Sequence, residues 1–201
     1  MAIILLLLLL VFSYITYLFV SQRASPVPYF PSNTSDIPLI VKSLKLKKGQ
    51  IVWDLGAGDG AVIFAAAEVS HQKKLNTIFV AVEINPALIA VLHLRRLFHP
   101  NRRNIYIIKA NIFTMQFSDL NSQISTNTSS QTFFTYISPW HMEKTVANIA
   151  RQHHSFHHVS YFYKAPKSNK YRARALSARR SVHDVYEYNI SSTKRQKKAS
   201  K

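Results

Sequence analysis

Residues 51–60 combine a carboxylate with a glycine loop. They read Ile51-Val52-Trp53-Asp54-Leu55-Gly56-Ala57-Gly58-Asp59-Gly60, an apolar strand that runs into a tight turn, with Asp54 two residues before the first glycine. The chain has four glycines. Three fall in this loop, and Gly49 makes the turn into the strand. Without a Cβ the backbone can turn sharply and let a ligand approach its N–H groups. The apolar stretch over residues 61–69 is expected to be a helix whose positive N-terminus points at that ligand. A second carboxylate, Glu83, closes the next apolar run, Thr-Ile-Phe-Val-Ala-Val-Glu-Ile over residues 77–84.

Two cofactor chemistries use such a loop. Gly56-x-Gly58-x-x-Ala61 with Glu83 downstream fits the dinucleotide fingerprint. Asp54 argues otherwise, because a carboxylate at the strand end repels a pyrophosphate and favours a ligand bearing a sulfonium and an ammonium. The string Asp-Leu-Gly-Ala-Gly-Asp-Gly resembles motif I of the class I S-adenosylmethionine-dependent methyltransferases.

The elements that must position these groups follow from periodicity. Residues 37–44 form a short helix capped by Ser35-Asp36, with Pro38 in its first turn. Buried strands are expected over residues 51–55, 77–84, 104–109, 132–138 and 157–163, and an alternating, partly exposed strand over 181–190. Helices fall between them at 61–69, 86–98 and 141–153. The near-continuous apolar runs belong to a parallel sheet covered on both faces. The expected fold is therefore α/β, a doubly wound, mostly parallel Rossmann-like sheet that binds its ligand at the C-terminal strand ends. Asp54, Glu83, Asn111 and Ser138-Pro139-Trp140 all fall at such ends.

The resemblance implies S-adenosyl-L-methionine as cofactor, and an enzyme. Under it Asp54 and the backbone of Gly56, Gly58 and Gly60 hold the methionine moiety. Glu83 takes the ribose hydroxyls, Asn111 accepts from the adenine amino group, and Ile84 and Ile112 flank the adenine. Tyr136, Ser138, Pro139 and Trp140 occupy the acceptor position, where this chain lacks the Asn/Asp-Pro-Pro-Tyr/Phe pattern of base-amino methyltransferases. No residue is assigned as catalytic base. Pro-Tyr-Phe-Pro, Val-Glu-Ile-Asn-Pro and Tyr-Ile-Ser-Pro together resemble small membrane-anchored relatives of the ATP synthase c-subunit lysine methyltransferase, over residues 28–190. The chain departs from that pattern in a polar insert at residues 121–131 and in a basic stretch at 164–180.

Residues 2–20 are an unbroken apolar run but for Ser13 and Thr16. They are expected to be an uncleaved transmembrane helix that contacts the lipid bilayer, since the start carries no basic residue and no small-residue cleavage site. The basic residues all follow the span, which puts the body on the cytoplasmic or matrix-equivalent side. The expected division is an anchor at 1–20, a Pro-rich linker at 21–34, a methyltransferase domain at 35–190 and a basic tail at 191–201.

The net charge is +17, and residues 151–201 hold thirteen Lys/Arg against two Asp/Glu. Such a bias points to anionic neighbours. The expected partner is a membrane or membrane-proximal protein substrate. The alternatives are an RNA or small-molecule methyltransferase that uses the basic C-terminal region for nucleic acid, or a non-catalytic assembly protein that keeps the fold. The chain has no cysteine, which excludes disulfides and thiolate metal sites. His153, His154, His157 and His158 lack neighbouring carboxylates and read as a solvated loop, so no metal is expected.

Overall fold

The computed structural model describes residues 1–20, 29–118, 130–165, 173–177 and 181–191. The centre is a seven-stranded sheet in the order β3-β2-β1-β4-β5-β7-β6. Its strands are β1 (Ile51–Leu55), β2 (Ile78–Glu83), β3 (Ile105–Lys109), β4 (Gln131–Thr135), β5 (Ser155–Tyr161), β6 (Ala173–Leu176) and β7 (Val185–Ser191). The first five pair in parallel, and β7 runs antiparallel between β5 and β6. Leu55 lies opposite Val82 on one side and Thr135 on the other. The C-terminal ends of β1, β2 and β4 therefore open onto one edge, where a ligand binds in such sheets.

The helices are α1 (Ala2–Val20), α2 (Ile37–Ser43), α3 (Ala61–Gln72), α4 (Pro86–Phe98) and α5 (Pro139–Gln152). Strand residues alternate between two apolar layers, as the period of two requires. Val52, Phe79, Ala81 and Phe134 join α2, α3 and α4 in one layer. Ala66 and Ala67 are fully buried there, and their small side chains let α3 lie close on the sheet. Trp53, Val80 and Phe133 join α5 and the segment after β3 in the other. Trp53 packs edge-on to Phe117 at 5.2 Å, and its Nε1–H donates to Gln131 at 3.0 Å.

Three local expectations are corrected. Asp36 precedes α2 but its side chain does not cap it. Its buried carboxylate instead accepts from the Tyr161 hydroxyl and the Val182 N–H, both at 2.7 Å, and from the His183 N–H at 3.0 Å. These hydrogen bonds outweigh burial and hold the carboxyl below its usual range. The His group is a solvated loop only in part, since His154 is exposed ahead of β5 while β5, from Ser155, takes His157 and His158 into the sheet. His158 is fully buried with Nε2 2.9 Å from Thr135 Oγ1, and burial pushes its imidazole down to about 3. Where one closing strand was expected over 181–190, the chain forms two. β6 lies in the basic stretch 164–180, whose Lys and Arg content hid a short edge strand.

The membrane expectation is also corrected. Helix α1 covers Ala2–Val20, yet among the described residues no helix is long and apolar enough to cross a membrane. The single-pass anchor, and the cytoplasmic or matrix-side placement derived from it, fall with that finding. The expected polar insert lies almost wholly outside the described residues. The basic tail lies there too, except for Ser191.

The Asp36 cluster ties α2 to β5 and to the turn before β7. Replacing Asp36 by Ala leaves one hydroxyl and two backbone donors without their acceptor, a loss of about 2–4 kcal/mol. Urea unfolding of Asp36→Ala should show that loss as a lower midpoint with an unchanged slope.

Candidate functional site

The loop after β1 is built on alternate left-handed glycines, with φ of +85° at Gly56, +58° at Gly58 and +80° at Gly60. Two of them are also spatially required. A Cβ on Gly60 would lie 2.6 Å from both Leu92 and Phe64, and one on Gly58 would lie 2.8 Å from the Tyr29 ring. Gly60 precedes α3 and offers no side-chain cap, and of the first-turn donors the Ala61 N–H is taken by Asp59 Oδ1 at 3.2 Å.

Most N–H groups of the loop are already engaged. Those of Gly56 and Ala57 donate to the Val82 carbonyl at 2.9 and 3.0 Å, and Gly60 donates to Ala57 at 2.8 Å. Gly58 donates to Glu83 Oε2 at 2.9 Å. The loop therefore admits a ligand chiefly by lacking side-chain bulk. The other oxygen of Glu83 accepts the N–H groups of Ile84 at 2.8 Å and Asn85 at 2.9 Å. A carboxylate has about four lone-pair sites, so Glu83 anchors the loop and still retains acceptor capacity. Asn85 caps α4 by accepting from Ala87 at 2.9 Å.

Asp54 is buried and makes no hydrogen bond or ion pair among the described residues. Burial first, then the charges of Glu83 and Asp59, push its carboxyl up to about 8. Asp59 has a partner, since Arg95 Nη1 contacts its Oδ2 at 2.9 Å and its carbonyl at 2.7 Å. The cavity thus holds two carboxylates without a cationic partner among the described residues, an arrangement suited to a cation and hostile to a pyrophosphate.

Asp54, Gly56, Gly58, Glu83, Ile84, Asn111, Ile112 and Tyr136 all line this one cavity. Gly60, Ser138, Pro139 and Trp140 do not. Gly60 serves packing between α3 and α4. Ser138 to Trp140 turn into α5, where the Ser138 hydroxyl is buried without a partner among the described residues and Trp140 is exposed. The Asn111 side-chain oxygen already accepts from the Phe113 N–H at 2.9 Å, which leaves it one lone pair for a ligand. Tyr136 packs edge-on to Tyr161 at 4.8 Å, and burial raises its phenol. Sequence reasoning missed Tyr29, Phe30, Ser32, Phe113 and Ile137, which also line the cavity. The two aromatics between prolines at residues 28–31 were the available signal, because a mere spacer does not need them. Among the described residues no group of three His, Cys, Asp or Glu could hold a metal.

No family model matches the chain. It is 36% identical over 63 residues to a Xenopus laevis lysine N-methyltransferase of the ATP synthase c-subunit, covering 31% of this chain and 25% of that protein. It is 33% identical over 95 residues to a protein-lysine N-methyltransferase from Saccharolobus islandicus (strain REY15A), covering 46% of this chain and 55% of the other. The chain thus spans about a quarter and about half of these relatives. Among solved structures, an RNA methyltransferase from Salinibacter ruber in complex with S-adenosyl-L-homocysteine superimposes with a TM-score of 0.64 at 16% identity, over 82% of this chain and 95% of that one. That likeness is one of fold.

The raised carboxyl of Asp54 has a consequence for stability. In the unfolded chain the group titrates near 3.9, so between that pH and about 8 the folded state holds the extra proton. Stability from this group is fully present below the unfolded value and is lost as pH rises through the folded one. Asp54→Asn should therefore gain roughly 1–2 kcal/mol relative to wild type between pH 6.5 and pH 8 in ligand-free urea unfolding. A difference between the two proteins that does not change with pH would contradict the assignment.

Proposed function

We propose that this chain, which carries the class I S-adenosylmethionine-dependent methyltransferase fold, methylates lysine side chains of a protein. The observation that carries the cofactor half is the buried, unpartnered Asp54 carboxylate in a cavity shared with the glycine loop and Glu83. The donor set fits the cofactor. Asp54 faces a cation, and Glu83 has acceptor capacity left for ribose hydroxyls. Asn111 keeps a lone pair for the adenine amine, and Ile84 and Ile112 supply apolar faces. S-adenosylmethionine, when bound, supplies a methyl group already activated by its sulfonium.

The acceptor half rests on the names of the two sequence relatives and on the wall made by Phe113, Tyr136 and Ile137. A lysine must lose a proton before its nitrogen can attack. A largely apolar wall strips water from the ammonium and favours the neutral amine. Holding that amine in line and keeping water out are the remaining contributions this geometry offers. Domain limits of 35–190 for the catalytic body belong to the same reading.

Two experiments test it. Isothermal titration of S-adenosylmethionine into the full chain at pH 7, in buffers of different ionisation enthalpy, should show release of close to one proton, because Asp54 is protonated beforehand and ionises against the cation. Asp54→Asn should bind at least about tenfold more weakly and release none. Transfer of a labelled methyl group from the cofactor into a cell extract should then place the label in methyl-lysine. Label that is removed by ribonuclease would replace lysine with RNA as the acceptor. Cofactor binding without transfer to any fraction would favour an assembly role.

A further inference from the structure

The segment at residues 29–32 was expected only as part of a linker, and the acidic residue of the glycine loop, Asp59, has no role in holding the cofactor as described so far. The structure joins them. Tyr29, Phe30 and Ser32 line the same cavity as Asp54 and Glu83. The Tyr29 ring lies against Gly58, so closely that a Cβ there would meet ring carbons at 2.8 and 3.0 Å. Its phenol lies beside the Asp59 carboxylate, and burial first, then that carboxylate, raise it.

Asp59 is itself held from the other side. Arg95 of α4 grips both its Oδ2 and its carbonyl oxygen. The Arg95 guanidinium also lies 4.9 Å above the Phe64 ring, and Phe64 fills the space beside Gly60. A single bracket, Tyr29–Asp59–Arg95, thus joins the N-terminal segment, the glycine loop and α4. Gly58 is glycine both for its left-handed φ and because the Tyr29 ring occupies the place of its side chain.

We propose that Tyr29 is a positioning residue of the cofactor site, a wall laid over the glycine loop and latched by Asp59. Asp59, which also lines the cavity, acts through Tyr29 and Arg95. The inference rests on the cavity's being the S-adenosylmethionine site. In this role the aromatic ring, more than the hydroxyl, shields the bound ligand from water, and the hydroxyl fixes where the ring lies.

The test is titration of S-adenosylhomocysteine into full-length variants, alongside their ligand-free urea midpoints. Tyr29→Ala should weaken binding by about tenfold, mainly through faster dissociation. Tyr29→Phe keeps the ring and should lose about threefold, and Asp59→Asn should match it. The double variant Tyr29→Phe/Asp59→Asn should be no weaker than either single one, because both remove the same contact. Ligand-free midpoints of the Tyr29 variants should stay at the wild-type value, which a merely structural role for Tyr29 would not allow. Wild-type affinity in Tyr29→Ala, beside lost binding in Asp54→Ala, would overturn the wall and leave the site intact. Absence of binding to the folded wild-type chain would overturn the reading of the cavity itself.

Discussion

The site depends on the three backbone hydrogen bonds accepted by the Glu83 carboxylate. One oxygen takes the Gly58 N–H, and the other takes those of Ile84 and Asn85. One side chain thereby fixes the glycine loop to the end of β2 and to the start of α4. Bonds of this kind to an ionised acceptor are roughly twice as strong as neutral ones. They also set Glu83 apart from Asp54, whose carboxylate accepts no hydrogen bond among the described residues. Burial first, then the neighbouring carboxylates, push the Asp54 carboxyl up to about 8.

That division leaves Asp54 as a group whose environment opposes its charged form. Such a residue costs stability in the free protein at neutral pH and above, and that cost is relieved when a cation enters. The sheet carries the strain. Asp54 is placed in register between Ala81 and Phe134, with apolar layers on both faces. The Asp36 cluster holds the far side, linking α2 to Tyr161, which in turn packs against Tyr136 in the cavity wall. The Tyr136 wall is thus braced from outside the cavity.

The parallel half of the fold was legible because its strands are buried on both faces and read as continuous apolar runs ending in loop residues. Cofactor candidates stood out because glycine is scarce, so its placement carried information. What was not legible depended on long-range geometry. Asp36 looked like a helix cap, since a short-range rule fits any Asp before an apolar helix. Its real partners lie more than a hundred residues away in sequence. His153 and His158 looked solvated because their ring contacts come from Phe117, Phe133 and Tyr188, which no local pattern connects to them. Ser138, Pro139 and Trp140 carried the right positions in the chain, but the turn into α5 points the chain away after Ile137. The N-terminal hydropathy signal was the strongest in the sequence. It misled, since among the described residues no helix is long and apolar enough to cross a membrane.

Charge distribution completes the picture. The chain has nine acidic residues against 26 basic ones. Four of those nine, Asp36, Asp54, Glu83 and Glu187, are buried. Asp36 and Glu83 serve backbone donors, and Glu187 pairs with Lys45. Only Asp54 lacks a partner among the described residues. A protein with so few carboxylates has a strongly cationic exterior that repels other cations at long range, an effect screened beyond about 8–10 Å at physiological salt. Inside that distance the balance reverses at the sheet edge, where Asp54 and Glu83 meet. A cationic ligand is therefore selected by the cavity and not by the surface. An ordinary scatter of surface acids would have blurred that contrast.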